Sequence, residues 1–349
     1  MRAYALLVAV SAFTIGCGEE DPALARFAPK LSSYPFFDGR LADQKPAAGV
    51  VPYEVISTLY ADGAGKNRFL AVPPGAKIHF DPTGRWLFPD GTTIIKTFFF
   101  DPDERAPGKD RRLVETRLLK YTEGAWYAVT YVWNAAQTDA EREIAGREIH
   151  VDRVDGNGAP APVVYQVPST SQCKSCHGQA KKFVPLGPRS RQLDRAHDFG
   201  AGPENQLDHM AKLGLFDGPI PDEGARTKLV DPAGTAPLVD RARAYLDANC
   251  AHCHNQEGFA ASTALRLEIE TTEALDLGVC RHPVAAGGGS GGFLFDVVPG
   301  HPEQSVMIYR MKSSDPKAKM PQLPLTTVDE FGVRLLSDWI ASLAGGPCE

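Results

Sequence analysis

Runs of positive charge are missing from this chain of 349 residues. Lysine and arginine are scattered, and the formal net charge is −6. That balance excludes a nucleic-acid footprint and a basic patch for a membrane surface, so no nucleic acid partner is expected. Long apolar stretches are also missing once the N-terminus is passed, and no later segment is long enough to span a bilayer. The N-terminal half carries no carboxylate pair or nucleophile constellation that marks a catalytic site. The glycines from Gly287 to Gly292 lack the strand-turn-helix context of a phosphate-binding loop and read as a surface loop. No internal repeat exists beyond one short motif.

That motif is what the chain does have. Cys-x-x-Cys-His occurs at Cys173, Cys176 and His177, and again at Cys250, Cys253 and His254. The spacing has a chemical reason. Two cysteines three positions apart on one helical turn reach the two vinyl groups of one porphyrin and form thioethers. The next histidine then offers its imidazole to the iron. A single Cys-x-x-Cys also suits a zinc ribbon or a disulfide redox site. Two copies, each followed at once by histidine, point to two covalently attached haem c groups. His177 and His254 are the expected proximal ligands.

The N-terminus reads as an export signal over residues 1–17: Met1-Arg2, an apolar core from Ala5 to Ile15, then Gly16-Cys17. Cys17 after Gly16 resembles the lipobox of bacterial lipoproteins, with Thr14 and Ile15 departing from the usual residues. Acylation of Cys17 would anchor the chain to a membrane. A plain secretory signal is the alternative. Residues 18–31, small and charged with Pro22 and Pro29, read as a tether. Of the seven cysteines, Cys280 and Cys348 remain. In an oxidising compartment they are expected to form a disulfide; two unpaired thiols are the alternative.

Residues 32–168 read as a β domain. Lys77 to Phe80 alternates as a strand should, and Thr92 to Phe100 is rich in β-formers. Leu113 to Tyr121, the turn Thr122-Glu123-Gly124 and Trp126 to Trp133 form a hairpin pattern. Tyr127, Val129, Tyr131 and Trp133 share a face, expected to be core rather than a ligand groove. Residues 169–234 hold the first haem motif. Arg191 to His197 and Glu204 to Leu213 read as helices, the second with Leu207, Met210 and Leu213 on its apolar side. Residues 235–349 show two amphipathic helices, Pro237 to Asn249 and Val328 to Leu343, with a shorter one from Ser305 to Met311.

The sixth ligand of the second haem is expected to be Met320, which precedes Pro321 and the terminal helix. Met307 and Met311 are rivals at helical spacing. A helix ending in the haem motif, a Met-Pro loop and a terminal helix resemble a class I cytochrome c domain, in which the loop methionine is the sixth ligand. The first haem has no such loop. Its candidates are Met210, His197, His209, His79 and His150, and the iron is otherwise bis-His or open. His252, inside the second motif, is expected to face solvent, and His282 and His301 to be structural or exposed.

Further stretches carry a wider resemblance: Val51-Pro52-Tyr53, Phe88-Pro89-Asp90-Gly91-Thr92, Thr130-Tyr131-Val132-Trp133-Asn134, Gln172 to His177, Asn205-Gln206-Leu207, Arg241 to Asp247, Val298-Pro299-Gly300 and Met320-Pro321. Together they are similar to a family of exported bacterial dihaem c-type cytochromes. The patterns together are expected to give an α+β chain, with an N-terminal antiparallel β domain, sandwich or barrel-like, followed by α-helical cytochrome c-type haem domains. The expected function is electron transfer in the periplasm or at the cell envelope, with redox proteins as partners. The alternative is a peroxidase-like dihaem enzyme with an open first haem. In a third reading the β domain is a binding module for a polymer or small molecule.

Overall fold

The computed structural model describes residues 23–345, apart from 285 and 323, together with Cys348. The export segment with Cys17, and the tether as far as residue 22, lie outside the described residues.

Six strands run in chain order through one antiparallel sheet: β1 (Val50–Pro52), β2 (Gly65–Ala71), β3 (Thr93–Phe100), β4 (Arg112–Thr122), β5 (Ala125–Trp133) and β6 (Ala140–Glu143). The expected hairpin is β4 and β5. Glu123 and Gly124 both lie in the left-handed region, at φ 55° and 73°. That conformation matches the twist of a two-residue hairpin turn. Lys77 to Phe80 does not become a strand. Ile78 and His79 make single bridges, to Phe216 and Leu87, because the Pro-Pro turn at 73–74 and Pro82 bound the segment closely.

Neither the sandwich nor the barrel is found. The sheet is open, β1 and β6 do not pair, and the other sheets among the described residues have two strands each, including β7 (Arg147–Val151) with β8 (Val163–Val167). Separate elements cover its two faces. On one face Phe69, Ile95, Leu118, Val129, Tyr131 and Trp133 pack against Leu24, Phe27, Leu31 and Phe36. The aromatic row of β5 is therefore core, as expected. Residues 24–31 are docked rather than a tether, with Leu31 fully buried.

On the other face Val51, Leu70, Ile94 and Leu119 share one core with Leu193, Leu207, Met210 and Phe216. The region after the first motif is thus built onto the sheet. Its regular elements are a motif helix, α1 (Cys173–His177), a helical turn at Ser190–Leu193 and α2 (Gln206–Lys212). The helix expected over Arg191 to His197 ends at Leu193, and Ala196–Asp198 pairs with Pro203–Asn205 instead. Leu213, placed on the apolar side by sequence, is exposed.

The C-terminal part holds α3 (Leu238–Asn249), α4 (Val306–Lys312) and α5 (Glu330–Ser342). Ala242, Tyr245 and Leu246 of α3 pack on Leu335, Leu336, Trp339 and Ile340 of α5. Gly332 permits the close approach, since a Cβ there would lie 2.0 Å from the Tyr245 hydroxyl. That hydroxyl donates to Asp329 Oδ2 at 2.8 Å, and Asp329 Oδ1 caps α5 by accepting from Gly332 N at 3.0 Å. Cys280 and Cys348 form the expected disulfide, with Cα atoms 5.1 Å apart. Among the described residues no helix is long and apolar enough to cross a membrane.

Polar contacts tie this part to the sheet. Tyr60 N donates to Asn249 Oδ1 at 2.7 Å, and Asn249 Nδ2 donates to Thr58 O at 3.1 Å. Asp62 Oδ1 accepts from Thr326 N at 2.9 Å and from Thr327 N and Oγ1 at 2.8 Å. The C-terminal part is thereby tied to the segment that joins β1 and β2.

Candidate functional site

Each motif histidine is fixed by its own neighbourhood. The His177 ring stacks on Phe183 at 4.9 Å, with an angle of 11° between planes. Its Nδ1 lies 2.8 Å from Val184 O. A carbonyl only accepts, so Nδ1 carries the proton and Nε2 is left with the lone pair. His254 repeats the logic with a hydroxyl. Thr263 Oγ1 donates to Ala260 O at 2.7 Å and so accepts from His254 Nδ1 at 3.1 Å. Burial pushes the pKa of His177 down to about 3 and that of His254 down to about 4. Both imidazoles are neutral and present Nε2, the state a metal ligand needs.

The motif cysteines are unpaired thiols in this chain. Burial pushes the Cys250 thiol up to about 12. The two motifs meet at their second cysteines. The nearness of the two thiols pushes Cys176 up and pulls Cys253 down. Cys253 Sγ also donates to Ser175 O at 3.6 Å. The four thiols still do not assemble a closed tetrahedral site. Among the described residues no group of three or more His, Cys, Asp or Glu side chains converges as a metal centre.

The first motif opens on a cavity of about 1070 Å³, lined by Cys173, Cys176 and His177. Its floor is the sheet, through Arg68, Ile94, Lys96, Arg117, Leu119 and Thr130, and its far wall includes Asp247, His252 and Asn255. The volume stands at the top of the range of roughly 300–1,000 Å³ found for small-molecule and cofactor sites. With two thiols, a neutral histidine presenting Nε2 and room beside them, the residues of the first site fit a covalently attached haem.

His252 does not face solvent. Its side chain lines the cavity, and both ring nitrogens are buried without a hydrogen-bond partner. The reason is the contact between the motifs, which turns the second motif inward. Buried polar atoms left unpaired are rare and mark a missing partner.

The residues expected as sixth ligand at the first motif are placed elsewhere. Met210 is fully buried in the sheet core and does not line the cavity. His79 pairs with Asp217 at 2.8 Å and His209 with Glu204 at 3.0 Å, and His197 meets the ring of Phe199 edge-on. His150 is exposed. None of these lines the cavity. His282 and His301 are exposed, as expected.

Met320 lines a smaller cavity of about 280 Å³ with Tyr245, Asn249 and Met311. Cys250, Cys253 and His254 do not line it. The structure therefore brings Met320 beside the residue preceding the second motif, but not into one cavity with His254. Met307 and Met311 pack on the C-terminal core. At the second site the histidine fits a haem ligand, while the space beside Met320 falls below the cofactor range.

Sequence reasoning missed the hydrogen-bond partners Val184 and Thr263, the inward His252 and the charged floor. The last had a signal. Lys96 interrupts the β-forming run Ile94-Ile95-Lys96-Thr97-Phe98, where a long cation has no ordinary reason to be. Comparison with known protein families, curated proteins and solved structures found no match.

Proposed function

We propose that this chain is a c-type cytochrome with two attachment sites that transfers electrons in the periplasm or at the cell envelope. The observation that carries the reading is the first site. Cys173, Cys176 and a neutral His177, its Nδ1 proton held by Val184 O, face one cofactor-sized cavity. Bound there, haem would exchange single electrons, and with an open sixth position it would also take a small ligand such as peroxide. Cys173 and Cys176 would hold the first group and Cys250 and Cys253 the second, with His177 and His254 as proximal ligands. Val184 and Thr263 fix which nitrogen each imidazole presents. The contact of Cys176 with Cys253 brings the two attachment points together, as electron passage between sites requires.

The C-terminal region supports a class I cytochrome c-like arrangement through the packing of α3 on α5 and the position of Met320 before α5. The disulfide supports an oxidising compartment. Export, a lipid anchor on Cys17 and redox partners in the envelope belong to the same proposal.

One observation favours the enzymatic alternative at the first site. Among the described residues no methionine lines the larger cavity, so the sixth position there is open unless His252, the other histidine on its wall, takes it. An optical and EPR titration of the purified holoprotein with carbon monoxide and peroxide separates the two. Two low-spin haems that ignore added ligand establish the carrier. One high-spin haem that binds ligand makes the first cavity a reaction centre. Absence of covalent haem refutes both.

A further inference from the structure

The floor of the larger cavity carries an unusual row. In the sheet register Arg68 of β2 stands directly opposite Lys96 of β3, Lys96 opposite Arg117 of β4, and Arg117 opposite Thr130 of β5. Directly paired residues point to the same face, and all four line the cavity. Three cations side by side on neighbouring strands repel, and like charges placed directly opposite destabilise a sheet.

Internal compensation reaches one of the three. Glu115 chelates Arg117, accepting from Nη2 at 2.5 Å and from Nε at 3.0 Å. Arg68 finds a backbone carbonyl, with Nη1 3.3 Å from Lys66 O. Lys96 Nζ sits 4.8 Å from the Phe98 ring centroid and makes no hydrogen bond or ion pair among the described residues. It lies deep in the molecule, yet it remains accessible because it faces the cavity. Lys66, in the next row of the same sheet face, adds another cation. Seven carboxylates also line the cavity, Asp62, Asp247, Glu257, Glu268, Glu270, Glu273 and Asp276, and several are engaged elsewhere: Asp62 Oδ1 accepts from Thr326 and Thr327, Asp247 accepts from Ile269 N at 3.0 Å and faces Arg189 at 3.7 Å, and Glu270 pairs with Arg191 at 3.0 Å.

We propose that Arg68, Lys96 and Arg117 form an anion-binding floor that takes the two carboxylates of one molecule held in the first cavity. The spacing argues for a pair. Neighbouring strands lie roughly 4.8 Å apart, so the row extends about 10 Å and offers positions for two anionic groups rather than one compact ion. The guanidinium forks of Arg68 and Arg117 suit carboxylate geometry, and Lys96 between them serves either group as a point charge. Two sources have this chemistry: the propionates of a haem attached at Cys173 and Cys176, and a free dicarboxylate solute. The first source rests on the function proposed above; the second does not.

The test compares the purified full-length holoprotein with its Lys96→Gln and Arg68→Gln variants, and with Lys109→Gln, an exposed lysine in a loop, as control. Malonate and succinate are titrated by calorimetry, thermal midpoints are recorded with and without them, and each haem's reduction midpoint is measured. Saturable binding to the wild type, weakened at least tenfold in K96Q and R68Q, establishes a free dicarboxylate. No binding, with one haem's midpoint lowered in K96Q and R68Q but not in K109Q, establishes the propionates, because removing cations beside them disfavours the reduced state. If neither effect is seen, the proposal is overturned. Folding does not confound the test, since K96Q relieves repulsion and should melt no lower than wild type without ligand. A protein without covalent haem that still binds malonate through Lys96 would leave the floor standing and remove the cytochrome reading.

Discussion

Replacing Glu115 by glutamine tests the charge arrangement on which the first cavity is built. The Glu115 side chain is fully buried, and its oxygens accept from Arg117 and, at 2.5 Å, from the Tyr165 hydroxyl. Glutamine keeps the volume and can still accept from Tyr165. It leaves Arg117 charged, beside Lys96, with no carboxylate. Removing one partner of a buried ion pair costs about 3–5 kcal/mol, because an uncompensated charge stays in a poorly solvated place. Water in the cavity relieves part of this, so E115Q should lose about 3 kcal/mol. The double variant E115Q/R117M removes the pair and one cation of the row together, and it should recover most of that loss. Urea unfolding followed by far-UV circular dichroism gives both values. A loss below about 1 kcal/mol, or a double variant as unstable as the single, would refute the reasoning.

Three other outcomes follow from particular contacts. Cys280→Ser opens a loop with a sequence separation of 68 residues. The chain-entropy relation gives about 4 kcal/mol for a loop of that length, readable as a fall in the denaturation midpoint that excess reductant reproduces in the wild type. Gly332→Ala drives a methyl into the Tyr245 hydroxyl and disturbs the α3–α5 contact, which should cost at least about 2 kcal/mol by the same unfolding assay; an unchanged midpoint contradicts the packing described. Burial lowers the Lys66 pKa to about 7, from the ordinary 10.5 of a lysine in water. Between those values the unfolded chain binds more protons, so this group makes stability rise with pH across that window and fall as pH drops towards 7. Lys66→Met should flatten the rise in urea midpoints measured from pH 7 to 10, and an unchanged slope counts against it.

Local signals carried much of the architecture. The β4–β5 hairpin was legible because its alternation and its Glu-Gly turn agree. Helices α3 and α5 were legible from their apolar stripes, although Phe331, placed on the stripe, is 38% exposed at its edge. The cysteine pairing followed from assigning the other cysteines. What failed depends on distant parts of the chain. Leu24, Phe27 and Leu31 have no local partner, so residues 24–31 read as a tether until the sheet supplies their core. His252 looked like a solvent residue because its burial comes from the first motif, some 75 positions upstream. The cation row is invisible residue by residue, since Arg68, Lys96 and Arg117 become neighbours only through strand register.

The central claim is that Cys173, Cys176, Cys250 and Cys253 carry two covalent haems. Intact-mass measurement of the purified, unfolded protein tests it most directly, with the C173S/C176S and C250S/C253S variants alongside. The account predicts a wild-type mass raised by two haems, each double variant raised by one, and a c-type pyridine haemochrome spectrum in all three. A wild-type mass equal to that of the bare polypeptide, in cells that mature other c-type cytochromes, would contradict it.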